Sequence, residues 1–109
     1  MALTRDFKLT MVARAERDPA FAKALLDEAA TLFLNGEPET ARLVLRDLVN
    51  ATVGFETLAR QTDKNGKSLH RMLSAGGNPT MNNLAAIFDA VRSALTVRLE
   101  VSVVRMASR

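Results

Sequence analysis

Residues 55–74 read FETLARQTDKNGKSLHRMLS, and this stretch has the punctuation of two short helices joined by a tight turn. Leu58, Leu69 and Met72 are spaced so that their apolar side chains face a common core when both halves are helical. Between the two halves, the sequence DKNG at 63–66 has the composition of a turn. The stretch therefore predicts a helix-turn-helix, with a first helix at 55–62 and a second one from residue 67 to about residue 74.

The second helix of this pair presents polar and basic side chains on its outer face. Side chains on such a face can enter the major groove of DNA and contact base edges. We expect Asn65 to cap this helix and to bring its free amides near a phosphate group. Four side chains lie at positions i, i+3, i+4 and i+7, namely Lys67, His70, Arg71 and Ser74. The full set of predicted DNA-binding residues is Lys64, Asn65, Lys67, Ser68, His70, Arg71, Ser74 and Asn78.

Spacing alone leaves two hypotheses open, because an exposed helix that carries Lys, His and Arg is often only a solvated surface. In the first hypothesis, the helix-turn-helix binds DNA. In the second, the helices are a scaffold, and the protein is an interaction module that binds a partner protein. The position of charge separates the two, since a DNA-binding surface needs Lys64, Lys67 and Arg71 together and away from carboxylates.

Helix-boundary signals divide the rest of the chain into further helices. Pro at the first helical position loses no needed hydrogen-bond donor, Asp or Thr can cap a helix start, and Gly ends a helix in the left-handed conformation. With a short first helix at about 6–17, these signals predict five or six helices in all. In chain order they are Asp18-Pro19, Asn35-Gly36, Pro38, Gly54 and Thr80.

The C-terminal residues change from a helical period to a period of two. Apolar and polar residues alternate from Leu95 to Val103, and β-branched residues are frequent, which predicts a β-strand at 95–104. A lone strand cannot satisfy its own backbone hydrogen-bonding groups, so we expect it to pair with its copy in a homodimer. Such a dimer would also place two reading helices about one DNA turn apart.

Composition limits the function classes. The chain has 109 residues, enough for a single domain at 1–109, and its 15 Lys and Arg exceed its 12 Asp and Glu. It has no Cys and a single histidine, His70, which excludes thiolate chemistry and paired-His zinc sites. We therefore expect no enzyme activity, no metal and no cofactor. Without a signal-peptide pattern or an 18-residue apolar run, we expect a cytoplasmic protein with no membrane span.

The region around the turn resembles a known group of transcriptional regulators. The chain looks like the Xre-type helix-turn-helix regulators and, more narrowly, resembles the addiction-module antidote family, whose members are antitoxins that also regulate transcription. The resemblance covers about residues 6–101 and is more specific from residue 68 onwards than upstream. The residues that carry it are Leu58-Ala59, SLHRML at 68–73, GNPT at 77–80, Leu84 and Ile87, and more weakly Asp18-Pro19, Phe21, Gly36-Glu37 and LRDL at 45–48.

The resemblance implies an all-α bundle of five or six helices of the lambda-repressor-like type, with residues 1–36 as an N-terminal helical extension. It also implies the antitoxin of a toxin–antitoxin operon, which represses its own promoter and binds a toxin protein. The chain departs from the family pattern at Asp63, where Gly is usual, and at Lys64, where an apolar residue is usual. Because Asp tolerates the left-handed conformation better than most residues, we expect the turn to form nevertheless.

Overall fold

The chain is helical over most of the part that the structure describes. The computed structural model describes the backbone of residues 2–107 and the side chains of residues 10–107. None of the helices in this range is long and apolar enough to cross a membrane. The predicted all-α class is confirmed. The six helices of this range are α1 (Ala2–Arg17), α2 (Pro19–Leu34), α3 (Pro38–Ala51), α4 (Phe55–Thr62), α5 (Gly66–Met72) and α6 (Met81–Leu95).

Side-chain caps fix the starts of α2 and α6. Oδ1 of Asp18 accepts hydrogen bonds from the amides of Ala20 at 3.1 Å and Phe21 at 3.3 Å. At the start of α6, the hydroxyl oxygen of Thr80 accepts a hydrogen bond from the amide of Asn83 at 3.1 Å. A cap of this kind contributes about 0.5–2 kcal/mol, because it satisfies a backbone donor that has no partner inside the helix. Both helix starts are where the sequence predicted them.

A single hydrophobic core contains buried side chains from all six helices. The most extensive helix contact is between α2 and α3, and α1 packs on both. The helices of the N-terminal extension therefore belong to the same core as α4 and α5, and their removal would expose the apolar face of α3 to water. Representative members of the core are Ala15 from α1, Leu26 from α2, Leu48 from α3, Leu58 from α4, Leu69 from α5 and Ile87 from α6.

The C-terminal segment overturns one prediction, because no β-strand forms anywhere in residues 2–107. Helix α6 continues to Leu95, and Thr96 ends it in the left-handed conformation with φ 57° and ψ 47°. From Val97 to residue 107 the backbone forms neither helix nor strand. The predicted strand at 95–104 is therefore wrong.

The alternating pattern of this segment has a different cause, which is packing against helices. Val97 and Leu99 are half-buried against the core, whereas Arg98 and Glu100 are exposed and form an ion pair at 3.0 Å. Arg92 of α6 holds the start of the segment, since its Nη1 donates a hydrogen bond to the carbonyl oxygen of Val97 at 3.4 Å. Alternation indicates that successive side chains point to opposite sides, but it does not show that a partner strand is present.

Beyond Leu99 the chain carries apolar side chains into solvent. We call residues 101–106 the apolar tail, because four of its six side chains are large, apolar and exposed. An apolar cleft between α2 and α6 lies beside the start of the tail. Apolar surface thus continues from the cleft onto the tail. The exposed tail residues are Val101, Val103, Val104 and Met106, and the cleft is lined by residues that include Phe33, Leu34, Met81, Phe88 and Leu99.

Candidate nucleic-acid interface

Helices α4 and α5 form the pair of short helices that residues 55–74 predict. Leu58 of α4 and Leu69 of α5 are almost fully buried, and Met72 packs against the same core. These are the three apolar residues from which the pair was predicted. Helix α4 has the predicted bounds, whereas α5 starts one residue earlier and ends two residues earlier than expected, at Met72.

The turn between α4 and α5 tolerates the departure from the glycine pattern. Asp63 lies in the left-handed conformation, with φ 56° and ψ 40°, as the sequence predicted. The amide of Lys64 donates a hydrogen bond to the carbonyl oxygen of Ala59 at 3.1 Å, which closes the C-terminal end of α4. Asn65 then caps α5, since its Oδ1 accepts a hydrogen bond from the amide of Ser68 at 2.8 Å.

Three cations are exposed around this turn and on α5, and we call Lys64, Lys67 and Arg71 the basic face. Lys67 and Arg71 are four residues apart in α5 and therefore lie on the same side of the helix. Among the described residues, none of the four ion pairs includes a member of the basic face. Glu56 of α4 is paired with Arg60 at 3.9 Å, and it does not reach the basic face. The basic face thus carries positive charge that no described acidic side chain neutralises.

His70 is exposed, but its ring has a structural contact that the sequence analysis missed. The imidazole stacks on Phe55, with ring centroids 3.8 Å apart and an angle of 20° between the ring planes. Phe55 is the first residue of α4 and is 8% exposed, so the imidazole covers it. The two residues are on different helices, and no short-range sequence pattern connects them. His70 therefore joins α5 to α4 as well as lying on the surface.

We expect the substitution His70→Ala to lower the free energy of unfolding by about 0.5–1.5 kcal/mol, because the stacked ring pair is lost. The matched variant His70→Phe keeps a flat ring over Phe55 and should retain most of the stability. Chemical denaturation followed by circular dichroism measures both variants. Equal stability of His70→Ala and the unchanged protein would contradict a structural role for this stack.

Ser74 does not lie on the outer face of α5, contrary to the prediction. Helix α5 ends at Met72, and the hydroxyl of Ser74 donates a hydrogen bond to the carbonyl oxygen of Arg71 at 2.7 Å. That hydroxyl is thereby used in ending the helix. Ser68 is half-buried in α5, and Asn78 is exposed in the connection between α5 and α6. Of the eight predicted residues, the structure places Lys67, Ser68, His70 and Arg71 on α5, Lys64 and Asn65 in the turn before it, and Ser74 and Asn78 after it.

Arg42 of α3 contacts the end of α5 and was not predicted as part of the site. Its Nε donates a hydrogen bond to the carbonyl oxygen of Ser74 at 3.1 Å, and its Nη2 donates one to the carbonyl oxygen of Ala75 at 2.8 Å. The two carbonyl groups are 32 and 33 residues away along the chain. No local pattern can reveal a contact over this separation.

Gly77 lies unusually close to the last turn of α5. A Cβ atom at this position would collide with the carbonyl oxygens of Arg71 and Met72, which are backbone atoms and cannot turn away. The neighbouring Gly76 has open space around the same position. The sequence marked the run GGNP as a helix breaker, but composition alone does not show which glycine the close approach requires.

Side chains suited to catalysis or metal binding are not clustered in the described part of the chain. Among residues 10–107, no group of three or more His, Cys, Asp or Glu side chains is placed to hold a metal ion. In the same range, no polar or charged residue is buried. The site that the structure offers is therefore a surface and not a pocket.

Comparison with known proteins finds no matching family model, no matching curated protein and no matching solved structure. The resemblance to Xre-type regulators thus depends on the residues quoted for it, chiefly 68–73 and 77–80.

Proposed function

We propose that the protein binds double-stranded DNA through α4 and α5, that α5 enters the major groove, and that the protein regulates transcription. The observation that carries this proposal is the basic face, since Lys64, Lys67 and Arg71 are exposed and make no described ion pair. Leu69 holds the opposite side of α5 in the core, which leaves the basic side accessible. An α-helix about 10–12 Å across fits a major groove that is about 12 Å wide.

The three cations have different roles in this proposal. Arg71 can offer its planar guanidinium as a two-pronged donor to the O6 and N7 atoms of guanine. Lys67, one turn earlier on the same side of α5, contacts a base edge or a neighbouring phosphate. Lys64 precedes the helix and contacts a phosphate, which adds affinity without sequence preference. His70 has a lesser role in base reading, because its ring lies on Phe55.

Selection from a random-sequence duplex library tests this function for any preferred binding sequence. The full chain is expected to enrich one short sequence motif. The double variant Lys67→Ala/Arg71→Ala should enrich none, while the variant Arg98→Ala removes the same kind of charge from a distant exposed segment and should enrich the motif normally. If the unchanged protein enriches nothing, or if both variants enrich the same motif equally, the interaction-module hypothesis is the better one.

The apolar tail supports the further proposal that two copies associate, without the strand pairing that the sequence suggested. Exposed valines and a methionine beside an apolar cleft form the kind of surface that is usually covered by a partner. A second copy would also supply a second α5, so that two half-sites could be read.

Light scattering checks the association. We expect the mass of two chains at micromolar concentration, and the mass of one chain for the variant Val103→Asp, because a charge in the contact opposes burial. Val103 is 97% exposed in a single chain, so this substitution should leave the fold unchanged. A one-chain mass for the unchanged protein would contradict the proposal.

The antitoxin role, the toxin partner and the cytoplasmic location stay predictions of the sequence. No contact, charge or cleft among the described residues bears on them.

A further inference from the structure

The C-terminal end of α5 is held by a side chain from a helix outside the α4–α5 pair. Arg42 belongs to α3, is half-buried, and reaches the carbonyl oxygens of Ser74 and Ala75 with two different nitrogen atoms. Both carbonyl groups lie just after Met72, the last residue of α5. Most other side-chain hydrogen bonds of the described residues join positions within five residues of each other, so this long-range pair is distinctive.

A guanidinium is well suited to this place. The last carbonyl groups of a helix have no partner inside it and carry the negative end of the helix dipole. Arg satisfies two of them at once, and its planar fork fixes their relative direction. The hydroxyl of Ser74 and the amide of Gly77 complete the same connection, by hydrogen bonds to the carbonyl oxygens of Arg71 and Ser74. Thus the connection after α5 is tied both to itself and to α3.

We propose that Arg42 is a positioning residue for DNA reading, which sets the angle of α5 by holding its C-terminal end against α3. This proposal rests on the proposed function of α5. Seven residues make only two helical turns, so the direction of α5 depends strongly on how its two ends are held. Asn65 fixes the first end and Arg42 the second. Arg71, the proposed base-reading residue, lies between them, three residues before Ser74.

The test compares Arg42→Ala and Arg42→Lys with the matched control Arg46→Ala. Arg46 lies one turn further along α3, is also half-buried, and takes no part in the bonds to Ser74 and Ala75. On the duplex selected by the unchanged protein, we expect Arg42→Ala to bind about tenfold more weakly and with a reduced preference over a single-base mismatch. We expect Arg42→Lys to lie between the two, because an ammonium group lacks the planar fork. Arg46→Ala should bind normally.

Two further readouts separate a positioning role from general destabilisation. All binding is measured well below the unfolding temperature of each variant, so that loss of fold does not enter the affinity. The amide chemical shifts and hydrogen exchange of residues 71–77 are recorded on the free protein, and Arg42→Ala should change both there and not in α6. A folded Arg42→Ala variant with unchanged affinity and base preference would overturn the proposal. Changed amides in a protein whose unchanged form binds no duplex would instead show that the contact is real and that the proposed DNA-binding function is wrong.

Discussion

The substitution Gly77→Ala is expected to lower the free energy of unfolding by roughly 1–3 kcal/mol, the range typical of forcing an extra methyl group into a closely packed site. The added Cβ would meet the carbonyl oxygens of Arg71 and Met72, and because these are backbone atoms the end of α5 has to move. We therefore expect DNA affinity to fall as well, even at temperatures where the variant is fully folded. Chemical denaturation and duplex binding of the same preparation measure both effects.

Gly76 provides the control for this prediction, since it is the adjacent residue, has open space around its Cβ position, and needs no positive φ. Gly76→Ala should range from no change to a gain of about 1 kcal/mol, because alanine restricts the unfolded chain. Equal losses of stability in the two variants would contradict the packing that the structure shows around Gly77.

Removal of the Arg71 guanidinium should weaken binding to the selected duplex by about 1–3 kcal/mol, and it should relax the preference at one base pair. The physical reason is that a two-pronged contact to guanine is lost and no neighbouring side chain can replace both of its hydrogen bonds. Fluorescence anisotropy with the selected duplex and its single-base mismatches measures Arg71→Ala. The stability of this variant should change little, since Arg71 is exposed and forms no described ion pair.

Lys64→Ala is the informative comparison for Arg71→Ala, because Lys64 lies in the turn and is proposed to contact phosphate. It should weaken binding to all duplexes alike and lower the slope of log affinity against log salt by about one unit. If Arg71→Ala behaves in this way too, then Arg71 contacts the DNA backbone and does not read a base.

Local signals in the sequence were sufficient for most of the helix boundaries. Caps at Asp18, Asn65 and Thr80 depend on residues three or fewer positions away, which is why they could be predicted. The left-handed Asp63 could be predicted for the same reason, because the preference belongs to the residue itself. The composition of the basic face was also visible in the sequence, since its three cations lie within eight residues.

What the sequence could not show depends on contacts between distant residues. The stack of His70 on Phe55 and the bonds of Arg42 to the end of α5 require the helices to be already packed. The predicted strand was wrong for a related reason. A period of two indicates alternating sides, but whether one side rests on a sheet or on helices is decided by the rest of the fold, and here Val97 and Leu99 pack against the helical core.

The most direct measurement of the central claim is a titration of the full chain with a short mixed-sequence duplex at low salt, followed by the amide chemical shifts. Non-specific binding is strong enough under these conditions to be seen without the preferred sequence. DNA binding through α4 and α5 predicts that the largest shift changes fall within residues 63–75, that they shrink as salt is added, and that residues 97–107 change little. Changes centred on α2, α6 or the apolar tail, or no change at any residue, would contradict it.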